Sequence, residues 1–355
     1  MGVALKRPPD GPGPAPALRV DPTVLVLPSD RPREHVDKSK LRPVPTLSCV
    51  VPCHNEAVNL RHLLPRLIQT LEACTRAFEI LLIDDGSSDD TSSVIDQWGA
   101  ERPEFVAIQF SRNFGKEAAL TAGLEAARGE VVVMIDADLQ HPPELIAGFV
   151  LHWRAGADMV YAQRTDRATE SRLKRLGARW FYRLMNSADR FEVPAGAGDF
   201  RLLDRRAVDA LLALPERNRF MKGLYAWIGF QAVALPYTPH ERAHGHSRFG
   251  TLRLMHLALD GLTAFTTWPL RAVSITGFVL SVLAFGYGAY VTLAYLFEGH
   301  VVSGWTTIVV SLMMFSGLQL ISLGILGEYI GRLFEEVKGR PLYVVKRRTG
   351  HGLDR

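Results

Sequence analysis

Cysteine is scarce in this chain of 355 residues, which holds only Cys49, Cys53 and Cys74. An odd count gives no even disulfide framework. The Cys49 to Cys53 spacing is not CxxC and has no downstream partner pair that could complete a zinc site. These are read as packing cysteines in a reducing compartment. A Walker A motif and a GxGxxG motif are both missing, which removes the usual fingerprints of P-loop ATPases and dinucleotide-dependent dehydrogenases. Excess charge is also lacking: the formal net charge is only +4, so the whole-chain balance gives no argument for nucleic acid as a partner. The single apolar patch near the start, 24–27, is too short for the h-region of a signal peptide. Lys6 stands where a myristoylation signal needs Ser or Thr.

Two stretches lack charge altogether. Residues 272–297 and 301–327 contain no Asp, Glu, Lys or Arg, and each exceeds the roughly 20 residues that a helix needs to cross a bilayer. Only Glu298, Gly299 and His300 separate them, so a tight transmembrane hairpin is expected. Arg271 precedes the first span and Arg332, Lys338, Arg340, Lys346, Arg347 and Arg348 follow the second, whereas the loop has no Lys or Arg. The positive-inside rule then puts both termini, and the domain before the hairpin, in the cytoplasm. Small residues at Gly277, Ser281 and Gly288 would allow helices of two copies to associate as a homo-oligomer. Residues 1–45, rich in Pro, Gly and charge, read as a disordered or loosely docked tail. A juxtamembrane helix is expected over 251–271 and a cytoplasmic C-terminal tail over 328–355.

Between the tail and the hairpin, over 46–250, apolar strand-length runs alternate with helix-length segments. Runs at 47–51, 80–83, 105–110 and 131–135 are separated by helical patterns such as 57–74 and 116–128. That rhythm calls for right-handed βαβ units, a mostly parallel sheet and helices on both faces. Ligands bind such sheets beyond the carboxyl ends of the strands, where Pro52, Asp84, Asp85, Ser111, Asp136 and Asp138 all fall. The pair Asp136 and Asp138, one residue apart at a strand end, suits a hard divalent cation such as Mg²⁺, which prefers oxygen ligands and shares a substrate's phosphates. A helix is expected over 172–191, with Leu173, Leu176, Trp180 and Leu184 on one face and Arg172, Lys174, Arg175, Arg179 and Arg183 interleaved. Such a helix suits the headgroup region of an anionic leaflet.

The motifs occur in a specific order. Val-Val-Pro-Cys-His-Asn-Glu (50–56), Asp-Asp-Gly-Ser (84–87), Ser-Arg-Asn-Phe-Gly-Lys-Glu-Ala-Ala-Leu (111–120), Asp-Ala-Asp-Leu-Gln-His-Pro-Pro-Glu (136–144), Gly-Asp-Phe-Arg-Leu (198–202), Glu-Tyr-Ile-Gly-Arg (328–332) and Lys-Gly-Arg-Pro-Leu-Tyr (338–343) follow one another. As a set the chain resembles the family 2 polyprenyl-phosphate glycosyltransferases, a group that includes bactoprenol glucosyltransferases and dolichol-phosphate mannosyltransferases. The resemblance implies a GT-A, Rossmann-like nucleotide-sugar domain. It also implies inverting transfer of a sugar, by default from UDP-glucose, to a polyprenyl phosphate. Pro52, His54, Glu56 and Asp85 would line the nucleoside pocket, with Lys116 also in the nucleotide-sugar set. Asp136, Asp138 and Gln140 would surround Mg²⁺ or Mn²⁺ and the diphosphate. Arg164, Arg242 and Arg248 would address phosphates, and Asp199 would face the acceptor. Asp199, Asp138 and Arg248 form the implied catalytic set. His54, His141 and Arg248 depart from the commoner residues of the group.

Physical chemistry supports the same assignment. Bond breakage leaves negative charge on the departing nucleoside diphosphate, which a divalent cation and fixed guanidinium groups stabilise more than the ground state. The loop Arg242-Ala-His-Gly-His-Ser-Arg248 sets two such groups around a glycine. Two other functions compete. A processive polysaccharide synthase would carry Gln-x-x-Arg-Trp, but here Leu176 stands at the Gln position before Arg179-Trp180. A catalytically idle membrane scaffold would have no chemical need for Asp136, Asp138, Asp199, Arg242 and Arg248 together.

Overall fold

The computed structural model describes residues 41–75, 77–164, 197–217, 219–237, 268–298 and 304–353. The first strand, β1 (Leu47–Cys53), puts Leu47, Cys49 and Val51 on one face and Val50 on the other, and all four are buried. That two-residue period, apolar on both sides, marks a strand covered by helices on each face. In α1 (Ala57–Cys74) the buried stripe is Leu60, Leu63, Leu64, Leu67, Ile68 and Leu71, the spacing of one helical face. The chain continues through β2 (Phe78–Asp84), α2 (Thr91–Glu101), β3 (Phe105–Phe110), α3 (Lys116–Ala126), β4 (Val131–Met134), α4 (Leu145–Arg154) and β5 (Met159–Arg164). Then follow β6 (Ala197–Asp204), α5 (Arg205–Leu212), α6 (Met221–Trp227), β7 (Ala232–Tyr237), α7 (Trp268–Glu298), α8 (Trp305–Lys338) and β8 (Val345–Thr349).

The strands form one eight-stranded sheet in the order β7-β5-β6-β4-β1-β2-β3-β8. Strand β1 pairs in parallel with both β2 and β4, so the chain reverses its direction of travel across the sheet between them. This is the switch point at which α/β sheets bind ligands. The expectation of a mostly parallel sheet holds with two exceptions: β6 runs antiparallel to β4 and β5, and β8 runs antiparallel to β3. One core lies under α1, α2 and α4, the other under α3, α5 and α6. Helix α3 lies close on the sheet because a Cβ at Gly123 would come within 2.1 Å of Val50 Cγ1.

Cys49 and Cys53 are free and buried and Cys74 is free and half-buried, as packing residues should be. Burial pushes the Cys74 thiol up to about 11, away from nucleophilic use.

The expected hairpin segments are helical. Helices α7 and α8 run for 31 and 34 residues, and both contain windows long and apolar enough to cross a membrane. Phe278 and Phe285 are 72% and 81% exposed, which would be costly in water and is ordinary against lipid.

Within 328–355, expected as a cytoplasmic C-terminal tail, lie the end of α8 and the strand β8. Helix α8 continues past residue 327 to Lys338, where Gly339 closes it in the left-handed conformation at φ 65°. The boundary at 327 marked where charge begins, and charge does not end a helix. Beyond it the chain returns to the eight-stranded sheet as the edge strand β8 and reaches the carboxylate of buried Glu79, which accepts from Leu353 N at 3.0 Å. The expected interfacial helix 172–191, the tail 1–40 and residues 251–267 of the juxtamembrane helix lie outside the described residues.

Candidate active site

The carboxyl ends of the strands carry the polar residues, each held by local backbone geometry. Asp84 ends β2 and accepts from Ser87 N at 2.9 Å, from Ser92 Oγ at 2.6 Å and from Gln109 Nε2 at 3.1 Å. Asp85 accepts from the backbone of the neighbouring loop, from Phe114 N at 2.6 Å and Gly115 N at 3.0 Å. It thus ties the β2 end to the start of α3, and each carboxylate oxygen still has accepting capacity. Gly86, between them, has φ 64°, and a Cβ there would lie 2.4 Å from the Arg112 carbonyl carbon. Only glycine fits this crossing.

At the end of β1, Pro52 is half-buried beside Ile83 of β2. His54 is exposed, with Nδ1 2.9 Å from the Asp85 carbonyl. Glu56 accepts from Asn59 Nδ2 at 2.6 Å, and burial pushes its carboxyl upward. Asn55 had not been singled out. It adopts φ 59°, accepts from Ser88 N at 2.8 Å and donates its own N–H to Ser87 Oγ at 3.0 Å, stitching the β1 and β2 loops together. The sequence signal available was an Asn in the turn just after an apolar strand, since Asn tolerates the left-handed region.

The centre of the site is an ion triad. Lys116, the first residue of α3, places Nζ 2.6 Å from Asp136 Oδ1 and 2.7 Å from Asp199 Oδ2. Burial alone would lower the lysine's pKa, but the Asp199 and Asp136 carboxylates raise it further than that. Burial would raise Asp199, yet Lys116 and then Lys222 hold it at about 2, so it is ionised at neutral pH. Behind the triad, Glu117 is pushed up to about 8 by burial and by the Asp199 charge. Arg201 lies buried with its guanidinium carbon 3.5 Å from the Tyr225 ring centre.

Asp138 accepts from Gln140 N at 3.1 Å across a turn in which Leu139 has φ 61°. Asp136, Asp138 and Gln140 all stand in the loop between β4 and α4. No group of three or more His, Cys, Asp or Glu suited to a metal occurs among the described residues. Asp136, Asp138 and Gln140 offer two carboxylates and an amide, donors of the kind that suit a hard cation that keeps waters and shares a diphosphate. The ammonium already seated on Asp136 shows that this oxygen is placed to receive positive charge.

His141 adjoins the set, with Nε2 3.8 Å from Asp136 Oδ2 and Nδ1 2.7 Å from the Tyr237 hydroxyl. Arg164 ends β5, exposed and in register with Tyr237. Arg242 and Arg248 lie outside the described residues. Sequence reasoning had grouped Lys116 with the nucleotide-sugar residues but had not foreseen its bridge to Asp199; a lysine opening a helix just after glycine was the available signal.

A parallel sheet with its switch point at β1, an added antiparallel strand bearing Asp199 and an Asp-x-Asp turn between them define a glycosyltransferase of the GT-A type. The profile of glycosyl transferase family 2 matches residues 48–212. The SfII prophage-derived bactoprenol glucosyl transferase of Shigella flexneri is 43% identical over 301 residues, covering 85% of this chain and 97% of that protein. A prophage bactoprenol glucosyl transferase homolog of Escherichia coli K12 is 42% identical over 301 residues, covering 85% and 98%. Among solved structures, the Mycobacterium tuberculosis glucosyl-3-phosphoglycerate synthase, in complex with Mn²⁺ and UDP-glucose, is 20% identical. It covers 66% of this chain and 82% of that one at a TM-score of 0.43. The chain belongs to glycosyl transferase family 2.

Proposed function

We propose that the protein transfers glucose from UDP-glucose, with inversion, to the phosphate of a polyprenyl phosphate at the cytoplasmic face of a membrane. The observation that carries this reading is the Lys116–Asp136–Asp199 triad in a chain that also has two membrane-length helices. The names of the relatives that match most of the chain support the lipid acceptor and the sugar. The return of the chain from α8 to the catalytic sheet supports a hairpin whose outer ends lie on the side of the catalytic domain.

In the reaction, an oxygen of the acceptor phosphate forms a bond to the sugar C1 while the bond from C1 to the diphosphate oxygen breaks, and the electron pair leaves with UDP. A phosphate monoester has a second pKa near about 6, so no side chain has to remove a proton. Asp199, ionised and held by Lys116, orients the acceptor side. Arg164, Arg242 and Arg248 would bind phosphate oxygens through their planar forks. Pro52, His54, Glu56 and Asp85 would line the nucleoside pocket. Asp136, Asp138 and Gln140 would hold Mg²⁺ or Mn²⁺, which supplies Lewis-acid neutralisation of the departing diphosphate. Arg172, Lys174, Arg175 and Arg179 would dock the domain on anionic lipid.

The test is a panel of radiolabelled sugar nucleotides with the full-length protein and a polyprenyl phosphate, followed by organic extraction. Label from UDP-glucose should enter the lipid phase as a monosaccharide, and Asp138→Ala should lower this more than about a hundredfold, since losing a ligand costs more than losing a group that only orients one. Polymeric product, no lipid-linked label with any donor, or chelator-resistant turnover in Asp138→Ala would overturn the reading.

A further inference from the structure

We propose that Lys116 is a mobile counter-ion that couples the cation site to the acceptor. It gives up Asp136 when a divalent cation takes that carboxylate, stays on Asp199, and turns its freed N–H toward the acceptor phosphate. The acceptor half of this rests on the function proposed above.

The β4–β6 register pairs Val131 with Asp204 and Met134 with Arg201. Continued by two residues, that register sets Asp136 and Asp199 opposite one another, each just past the end of a paired segment. Like charges directly opposite in an antiparallel pair repel. Lys116 Nζ, at 2.6 and 2.7 Å from the two carboxylates, removes that repulsion. An ammonium has three N–H donors and no acceptor, and the bridge uses two of them.

The backbone of α3 does not favour a lysine here. A cation in the first turn opposes the helix dipole, and its place is accounted for by the two acids. The lysine side chain is 42% exposed and the Asp136 side chain 24%, whereas Asp199 is 13% exposed. The Asp136 contact is thus the more open to solvent and to exchange. An ammonium and a divalent cation compete for the same Asp136 oxygen, because both need it at close range. Asp199, the more buried of the two acids, keeps the lysine. Once off Asp136, the lysine holds an unspent N–H beside Asp199, the residue assigned to the acceptor side. Loading of the donor with its cation would thereby ready the acceptor site, and an empty donor site would keep the lysine occupied.

The competition makes opposite demands on two variants of the full-length protein. Mn²⁺ binding, followed by electron paramagnetic resonance without substrates, should tighten about fivefold in Lys116→Met, the scale of a half-exposed ion pair. It should weaken in Asp199→Asn, which leaves the ammonium to Asp136 alone. Lys116→Arg, which keeps the charge, should bind Mn²⁺ within about twofold of the parent. Thermal melting screens each variant for folding, and Lys116→Arg with Asp199→Asn keeps the test alive if Lys116→Met does not fold. With polyprenyl phosphate and saturating Mn²⁺, Lys116→Met should raise the acceptor KM about tenfold or more and change the UDP-glucose KM by less. Unchanged or weaker Mn²⁺ binding in Lys116→Met, or unchanged binding in Asp199→Asn, overturns the competition. A raised donor KM with an unchanged acceptor KM overturns the hand-over to the acceptor. If the parent itself uses no polyprenyl phosphate, the proposed function fails while the Mn²⁺ titrations still decide the competition.

Discussion

Tyr343 lies face to face on Phe110, ring centroids 4.7 Å apart and planes 16° from parallel, and its hydroxyl donates to Glu125. The next residue, Val344, accepts from Ser111 N at 2.9 Å, and Arg347 reaches Asp96 at 2.5 Å. The segment leaving α8 therefore grips the end of β3 and the first residue of the loop whose N–H groups bind Asp85. The long apolar helix α8 and the loop that binds Asp85 are linked through a few side chains.

Replacing Tyr343 with Leu keeps apolar bulk but removes the stacked ring and the hydroxyl. Aromatic pairs are worth about 0.5–1.5 kcal/mol beyond burial, so a loss of about 1 kcal/mol of catalytic-domain stability is expected, together with a higher donor KM. A denaturation series in detergent, crossed with Phe110→Leu, measures it: the double variant should lose less than the sum of the singles.

Gly86→Ala combines a left-handed φ of 64° with a clash of 2.4 Å against the Arg112 backbone. The two loops must part, at an expected cost of about 1–3 kcal/mol. Because Asp85 binds the displaced loop, donor KM should rise more than acceptor KM. Steady-state kinetics with each substrate varied in turn gives the comparison.

Glu117 should make the protein less stable as pH rises. Its folded pKa of about 8 lies above the ordinary 4.5, so between these values the folded state holds a proton that the unfolded state has released. Stability then falls with rising pH across that window. Glu117→Gln should flatten the fall between about pH 6 and 8, read as the difference in melting temperature between variant and parent. Asp199, held at about 2, titrates well below this window and leaves the difference unaffected.

The strands β1 to β4, helix α1 to the residue and the crevice they frame were legible because each depends on local pattern. A two-residue apolar period, a helical stripe and a Gly- or Asp-bearing turn are all written in consecutive residues. The β6 strand bearing Asp199 was seen only as a motif, since nothing local says that it will enter the sheet antiparallel between β4 and β5. Strand β8 was missed for a related reason. Val-Lys-Arg-Arg-Thr has no apolar face, and an exposed edge strand is held by its backbone pairing and by ion pairs such as Arg347 with Asp96.

Sequence alone determined the apolar length of α7 and α8, the alternation that builds the sheet and the identity of the acids at its strand ends. Each follows from transfer free energy or backbone preference acting over a few neighbouring residues. Tertiary structure alone decided which of those acids share a cation. Asp136 and Asp199 are 63 residues apart in the chain and meet only because β4 and β6 pair, and Lys116 reaches both only because α3 starts where the β2 and β3 loops are tied through Asp85. Charge pairing depends on distance in space, and that distance is set by strand register and helix placement rather than by spacing along the chain.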